Sequence, residues 1–91
     1  MRYEYKTSFA QTVKRLPQAE KVKIKEAARE LVVFFETRQK TKGLGLKKLK
    51  GDFWELRVDL KNRIIFRFKD DLVEFVIAGS HDKIKRYLGE V

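Results

Sequence analysis

The sequence predicts an α+β fold: a small antiparallel sheet with an N-terminal strand, a two-helix hairpin packed on one face, a three-strand meander and a short C-terminal helix. Three observations predict it. One long segment repeats apolar residues at three- and four-residue steps, as an amphipathic helix does, and three later segments alternate apolar with charged residues, as half-buried strands do. Turn-forming residues separate the later segments, and the resulting order is β-α-α-β-β-β-α.

Arg2–Lys6 sets Tyr3 and Tyr5 between charged neighbours, a short strand pattern. Ser8 can cap a first helix, in which Phe9, Val13 and Leu16 recur at helical spacing. Pro17 has no N–H and a fixed φ, so it ends that helix and opens the next one at its favoured first turn. From Gln18 to about Arg38, Ile24, Ala27, Ala28, Leu31, Phe34 and Phe35 form one apolar stripe. Joined so tightly, the two helices lie as a hairpin on one side of the sheet. Gln39–Leu46 carries Lys40, Lys42, Gly43 and Gly45 without periodicity and reads as an exposed, mobile basic loop.

The remainder is mostly strand. Phe53–Leu60 places Trp54, Leu56, Val58 and Leu60 inward and Glu55, Arg57 and Asp59 outward, with Lys61-Asn62 as the turn. Arg63–Lys69 places Ile64, Phe66 and Phe68 inward and Arg63, Ile65 and Arg67 outward, and Asp70-Asp71 turns the chain again. In Leu72–Gly79 the inward set is Val73, Phe75 and Ile77. Ser80–Leu88 then forms a short helix or turn, and the sheet face opposite the hairpin is left open and concave.

Composition narrows the function. A chain of 91 residues buries only roughly 60–65 % of its unfolded surface and supports one core, so residues 1–91 are expected to be one domain. With no cysteine, disulfides, thiolate nucleophiles and Cys-based zinc sites are excluded, which fits a reducing cytoplasm. No apolar run approaches the roughly 18–20 residues that span a bilayer, and MRYEYKTSF lacks the apolar stretch of a signal peptide, so no membrane association is expected. Lys and Arg number 22 against 13 Asp and Glu, a formal charge of +9 that favours a polyanionic partner, nucleic acid first.

Two groups of residues carry the chemistry. Lys47, Lys48 and Lys50 precede Gly51, and Arg57, Arg63 and Arg67 follow on strands where alternation projects all three from the non-helix face. Guanidinium groups present paired planar donors and stay charged, so such a shelf positions a phosphodiester chain and neutralises charge developing on phosphorus. The same pattern also suits a solvated sheet face balanced by Glu55, Asp59 and Glu74. The second group is Gly79-Ser80-His81-Asp82-Lys83 with Lys85, Arg86 and Tyr87. Imidazole is the side chain best suited to exchanging protons near neutrality, and His81 is the sole histidine. His81 is equally readable as an ordinary surface or capping residue, and Tyr87 as the edge of the core or as a group that meets a base or phosphate. There is no Gly-rich phosphate loop, no Ser-His-Asp order and no carboxylate cluster suited to a metal, so no cofactor or metal is expected.

In this order and spacing FAQTVKRLP, the long helix, KKLKG, FWELRV, NRIIF and VIAGSHDKIKRYL resemble the RelE/ParE superfamily of toxins over nearly the whole chain. The GSHD run is similar to the ending of the histidine-containing YafQ-like branch. The resemblance implies a cytosolic messenger-RNA endonuclease acting in the ribosomal A site, without a metal, by attack of a 2′-hydroxyl on the adjacent phosphate, and neutralised by a cognate antitoxin. By position it implies RNA contacts at Lys50, a strand cation near the scissile phosphate at Arg57 and transition-state stabilisation at Arg63. It also implies a proton carrier at His81 and a catalytic aromatic at Tyr87. Glu55 stands where RelE-like members carry a catalytic lysine, and His81 offers the replacement. Lys47, Lys48, Arg67 and Lys83 complete the expected RNA-binding set. The alternatives are a ParE-like gyrase inhibitor, which shares the fold but not the acid–base requirement, and a non-enzymatic RNA-binding module.

Overall fold

A computed structural model describes residues 1–39 and 45–89. Its elements are β1 (Arg2–Tyr5), α1 (Thr7–Lys14), α2 (Gln18–Thr37), β2 (Gly45–Lys48), β3 (Phe53–Arg57), β4 (Asn62–Lys69), β5 (Leu72–Ser80) and α3 (His81–Tyr87). The α+β class and the succession of strand, helical hairpin, meander and C-terminal helix agree with the expectation. The strands form one sheet in the order β1-β5-β4-β3-β2.

Two features of the sheet go beyond the predicted one. The N-terminal strand runs parallel to β5, so the sheet is mixed, because α1 and α2 together return the chain before the meander begins. A further strand, β2, pairs antiparallel with β3 from Gly45 to Lys48. Four residues with a single apolar side chain, Leu46, give too little alternation to announce a strand. The basic loop expected at Gln39–Leu46 therefore ends inside β2, and its residues 40–44 lie outside the described ones.

Burial explains the helices. In α1, Phe9 and Val13 are buried one turn apart; in α2, Ile24, Ala28, Leu31 and Phe35 are buried at steps of four, three and four. Pro17 is the residue before α2, as its chemistry requires, and Arg38 ends that helix with a positive φ of 59° and its N–H on the Phe34 carbonyl. Ser8 is not the cap of α1: the helix starts at Thr7 after Lys6. The Ser8 hydroxyl instead donates to the Val76 carbonyl, and Thr12 Oγ1 accepts from the Ala78 N–H at 3.1 Å. Both bonds tie α1 to β5.

The sheet carries a core on each face. The larger lies under the hairpin and contains Phe9, Ile24, Leu31, Leu56, Ile64, Phe66, Val73 and Phe75. The smaller joins Ile65, Val76 and Ile77 to Ile84 of α3. Ile77 was expected inward with Phe75, and a bulge corrects this. Ile65 pairs with Ile77 while Phe66 pairs with Phe75, so Val76 is the extra residue and alternation slips by one beyond it. Ile65, outward as predicted, is buried because α3 closes over it, and the concave face is only partly open. Leu60, expected inward, lies past the end of β3 and is 89 % exposed.

Asn62 clamps the meander to α2. It is buried, its Nδ2 donates to Glu20 Oε1 at 2.7 Å, and its N–H donates to Asp59 Oδ1 at 2.7 Å. Asn62 holds the Glu20 carboxyl below the usual range, with help from Lys61; the Asn62 and Lys61 N–H groups do the same for Asp59. Asn62→Ala removes a buried hydrogen-bonded side chain, a loss of about 2 kcal/mol, and is expected to lower the melting temperature by roughly 8–16 °C. Thermal unfolding followed by circular dichroism checks this; an unchanged midpoint would show that the clamp holds nothing.

Candidate nucleic-acid interface

Strand register decides which charges meet. Arg57 of β3 pairs directly with Arg63 of β4, and Arg63 pairs on its other side with Gly79 of β5. Glu55 lies two residues from Arg57 on the same face and pairs across to Lys47 of β2. These side chains share a shallow hollow of about 310 Å³ lined by Gly45, Leu46, Lys47, Glu55, Arg57 and Arg63. Two like charges directly opposite each other in a sheet are destabilising, so the Arg57–Arg63 pair is a feature that folding alone does not favour.

Arg63 is held rigidly. Its Nε sits 3.4 Å from Glu55 Oε2, with side chains only 15 % and 14 % exposed. Its Nη1 is buried and has no hydrogen-bond partner among the described residues. A buried donor left in that state costs roughly 1–3 kcal/mol, relieved by any acceptor that reaches it from the hollow. Arg57, by contrast, is exposed, a solvent-facing cation beside a nearly buried one.

The Arg67 end of the same face is different. Arg67 Nε donates to Glu74 Oε1 at 2.7 Å, and its guanidinium lies 5.7 Å from the centre of the Phe53 ring. Glu74 also takes Lys6 Nζ at 2.9 Å. Lys6, then Arg67, hold the Glu74 carboxyl below its ordinary range, and Glu74, with Glu4, holds the Lys6 ammonium above its own. A second hollow, of about 330 Å³, lies here among Lys6, Thr7, Ser8, Phe53, Arg67, Val76 and Tyr87. Its cations are neutralised by carboxylates.

Helix α3 runs between the two ends. Ser80 pairs with Asn62 next to Arg63 and caps α3 by accepting the Lys83 N–H at 3.3 Å. His81 is the first helical residue and is exposed, at the Arg63 end. Gly79 has a φ of +155°, and a Cβ there would stand 2.8 Å from Lys83 Cδ. The glycine thus lets the Lys83 stem lie against the strand directly beside Arg63. Ile84 anchors the helix in the smaller core, and Tyr87, exposed, lines the second hollow.

The fold that makes this site is a known one. Over 92 % of this chain and 98 % of the other, the structure superposes on YafQ in the DinJ–YafQ complex of E. coli, with a TM-score of 0.72 and 21 % identity. For RelE in the RelB–RelE antitoxin–toxin complex of Methanococcus jannaschii the values are 92 %, 96 %, 0.68 and 17 %. For the YoeB/ParE toxin of Agrobacterium tumefaciens they are 89 %, 99 %, 0.65 and 21 %. The chain has the fold of the RelE/ParE toxins. No protein-family profile and no curated protein sequence matches it.

Within this RelE-type fold the predicted residues sort into two groups. Arg57, Arg63 and Lys47 line one hollow; Lys83 lies against Gly79, the strand partner of Arg63, and His81 begins α3 at that end without being among the lining residues. Arg67 and Tyr87 belong to the other end, and Arg67 is engaged by Glu74. His81 and Tyr87, read together from sequence, are therefore separated: six residues of helix place them about 9 Å apart along the axis. Lys48 pairs with Trp54, whose side chain packs against the larger core, so Lys48 sits on the face opposite Lys47. Lys50 is exposed beyond the end of β2. Glu55, read from sequence only as a balancing charge and a departure from RelE-like members, is the one carboxylate in the hollow. Its two-residue spacing from Arg57 was visible; its contact with Arg63 depends on register, which one strand does not encode alone.

Proposed function

We propose that this chain is the toxin of a toxin–antitoxin pair and an endoribonuclease that cuts messenger RNA, in the ribosomal A site, without a metal. The observation that carries the proposal is the directly paired Arg57 and Arg63 around a hollow that also holds Glu55. Like-charged neighbours there are stabilised by an anion between them, and a phosphodiester supplies one in the geometry guanidinium groups match. The chain's charge of +9 adds the long-range attraction to RNA.

The chemistry is a transesterification within the RNA. The ribose 2′-oxygen bonds to the adjacent phosphorus, the bond from phosphorus to the 5′-oxygen breaks, and a 2′,3′-cyclic phosphate and a 5′-hydroxyl result. Glu55 accepts the 2′-hydroxyl proton; His81 delivers a proton to the departing 5′-oxygen. Arg63 and Arg57 neutralise the charge that grows on the phosphate oxygens. Lys47, Lys50 and Lys83 position the strand through its phosphates, and Tyr87 offers a ring to a base further along it. A cognate antitoxin blocks the site with acidic groups that replace the phosphates.

Translating ribosomes supplied with the protein, followed by mapping of message ends, test the reading. Wild type is expected to produce discrete cuts within codons, and His81→Ala to slow them on the order of a hundredfold. Uncut message together with inhibited DNA supercoiling would replace this reading with gyrase inhibition.

A further inference from the structure

Two rows of side chains cross the sheet on the face opposite the helical hairpin, and they differ in charge. In the first, Arg63 of β4 pairs with Arg57 of β3, and the hollow around them is lined by three cations, Lys47, Arg57 and Arg63, against one carboxylate, Glu55. The second row lies four residues further along β4, about 13 Å away. There Arg67 pairs with Phe53 of β3 on one side and with Glu74 of β5 on the other, and Glu74 pairs in turn with Glu4 of β1.

The second row is balanced. Glu74 accepts from Arg67 Nε at 2.7 Å and takes Lys6 Nζ at 2.9 Å, while Lys6 Nζ also reaches Glu4 Oε1 at 3.0 Å. Two cations thus meet two carboxylates. Glu4 and Glu74 are like charges directly opposite each other, which costs stability, and Lys6 bridges them. The balance has a consequence for a polyanion. The Arg67 side chain is 42 % exposed against 15 % for Arg63, so without its carboxylate it would be the more accessible phosphate anchor on β4. With Glu74 in place, the row offers a phosphate no net charge. What the second hollow presents instead is the apolar and ring surface of Val76, Phe53 and Tyr87, which suits an uncharged base.

We infer that Glu74 is a positioning residue: it masks Arg67 and Lys6, so that RNA phosphates are held at the arginine hollow and not at the second one. The mask fixes the register of the strand and hence the phosphodiester presented to Arg63. This deepens the nuclease reading and rests on it for the register; the exclusion of phosphate rests only on RNA binding to this face. Arg67, expected from sequence to bind RNA, then contributes no phosphate contact while Glu74 holds it.

The test measures binding of a single-stranded RNA of roughly 12 nucleotides, its 2′-oxygens methylated so that it cannot be cut, by fluorescence anisotropy over a series of salt concentrations. Each phosphate neutralised on a single strand steepens the fall of log affinity with log salt by about 0.7. Glu74→Gln leaves Lys6 and Arg67 against Glu4 alone. Its slope is expected to be steeper than wild type by about 0.7, and its affinity at low salt roughly threefold to fivefold higher. Adding Arg67→Gln should return the slope to the wild-type value, whereas Arg57→Ala should make it shallower by about 0.7. A residue that merely held β4 to β5 would lower the melting temperature on substitution and leave the slope alone. On translating ribosomes, Glu74→Gln is expected to cut at further phosphodiesters beside those cut by wild type. An unchanged slope in Glu74→Gln, a slope that stays steep in the double variant, or unaltered cut positions would each overturn the inference, even where wild type cuts message. Message left uncut by wild type, together with the expected slopes, would remove the nuclease reading and leave the mask in place.

Discussion

Arg63→Ala is expected to reduce message cleavage by roughly 10²–10³-fold, the usual cost of removing one preorganised group that meets charge in a transition state. Three features put the effect here rather than at another cation. Arg63 is fixed by Glu55, so its donors need no reorganisation when charge develops on phosphorus. It is nearly buried, where an ion contact is screened far less than on the surface. Its Nη1 has no hydrogen-bond partner among the described residues, so the group gains a bond when an acceptor arrives. Arg63→Lys should restore little, because an ammonium at that depth cannot bond Glu55 and a phosphate oxygen in the guanidinium's planar fork. Single-turnover cleavage on stalled ribosomes measures the rate, and a circular dichroism melt checks that the variant folds. Alanine and wild-type rates within threefold would remove Arg63 from the mechanism. Arg57→Ala, at an exposed position, should cost less than Arg63→Ala under the same conditions.

Much of this arrangement is legible in the chain, and what was hidden has specific causes. The α2 stripe and the break at Pro17 follow from local chemistry and hold in three dimensions. The alternation in β3 and β4 correctly sends Arg57, Arg63 and Arg67 to one face. Ile77 was misassigned because a bulge moves a side chain to the other face without a signal in composition; only the pairing of Ile65 with Ile77 reveals it. Strand β2 was hidden by brevity and by lysines that edge strands tolerate. The closing of α3 over Ile65 could not be read from either segment alone, because each carries half of that small core. The same reason separates His81 from Tyr87. Both belong to VIAGSHDKIKRYL, yet Ile84 pins the helix on the sheet, so that Tyr87 lines the second hollow while His81 stays at the strand end that pairs beside Arg63.

Glu55→Gln carries the other large expectation, a loss of cleavage on the order of a thousandfold with RNA affinity retained or slightly raised. Glutamine keeps the length of the side chain and an oxygen that can stand at the same 3.4 Å from Arg63 Nε, so it keeps the shape of the contact. It removes the negative charge and the ability to take a proton. If Glu55 serves only to hold Arg63, Glu55→Gln should cleave nearly as well as wild type. If the carboxylate takes the 2′-hydroxyl proton, the rate collapses while the strand still binds, because loss of a negative charge beside Arg57 and Lys47 favours the phosphate. The two roles are separated by measuring the single-turnover rate and the dissociation constant for the same RNA. A second variant, Glu55→Ala, sharpens the result: added acetate should recover part of its rate if a missing base is the defect, and none if a misplaced arginine is. Full activity of Glu55→Gln would leave Arg57 and Arg63 as the catalytic groups of this hollow and move the search for the base to His81.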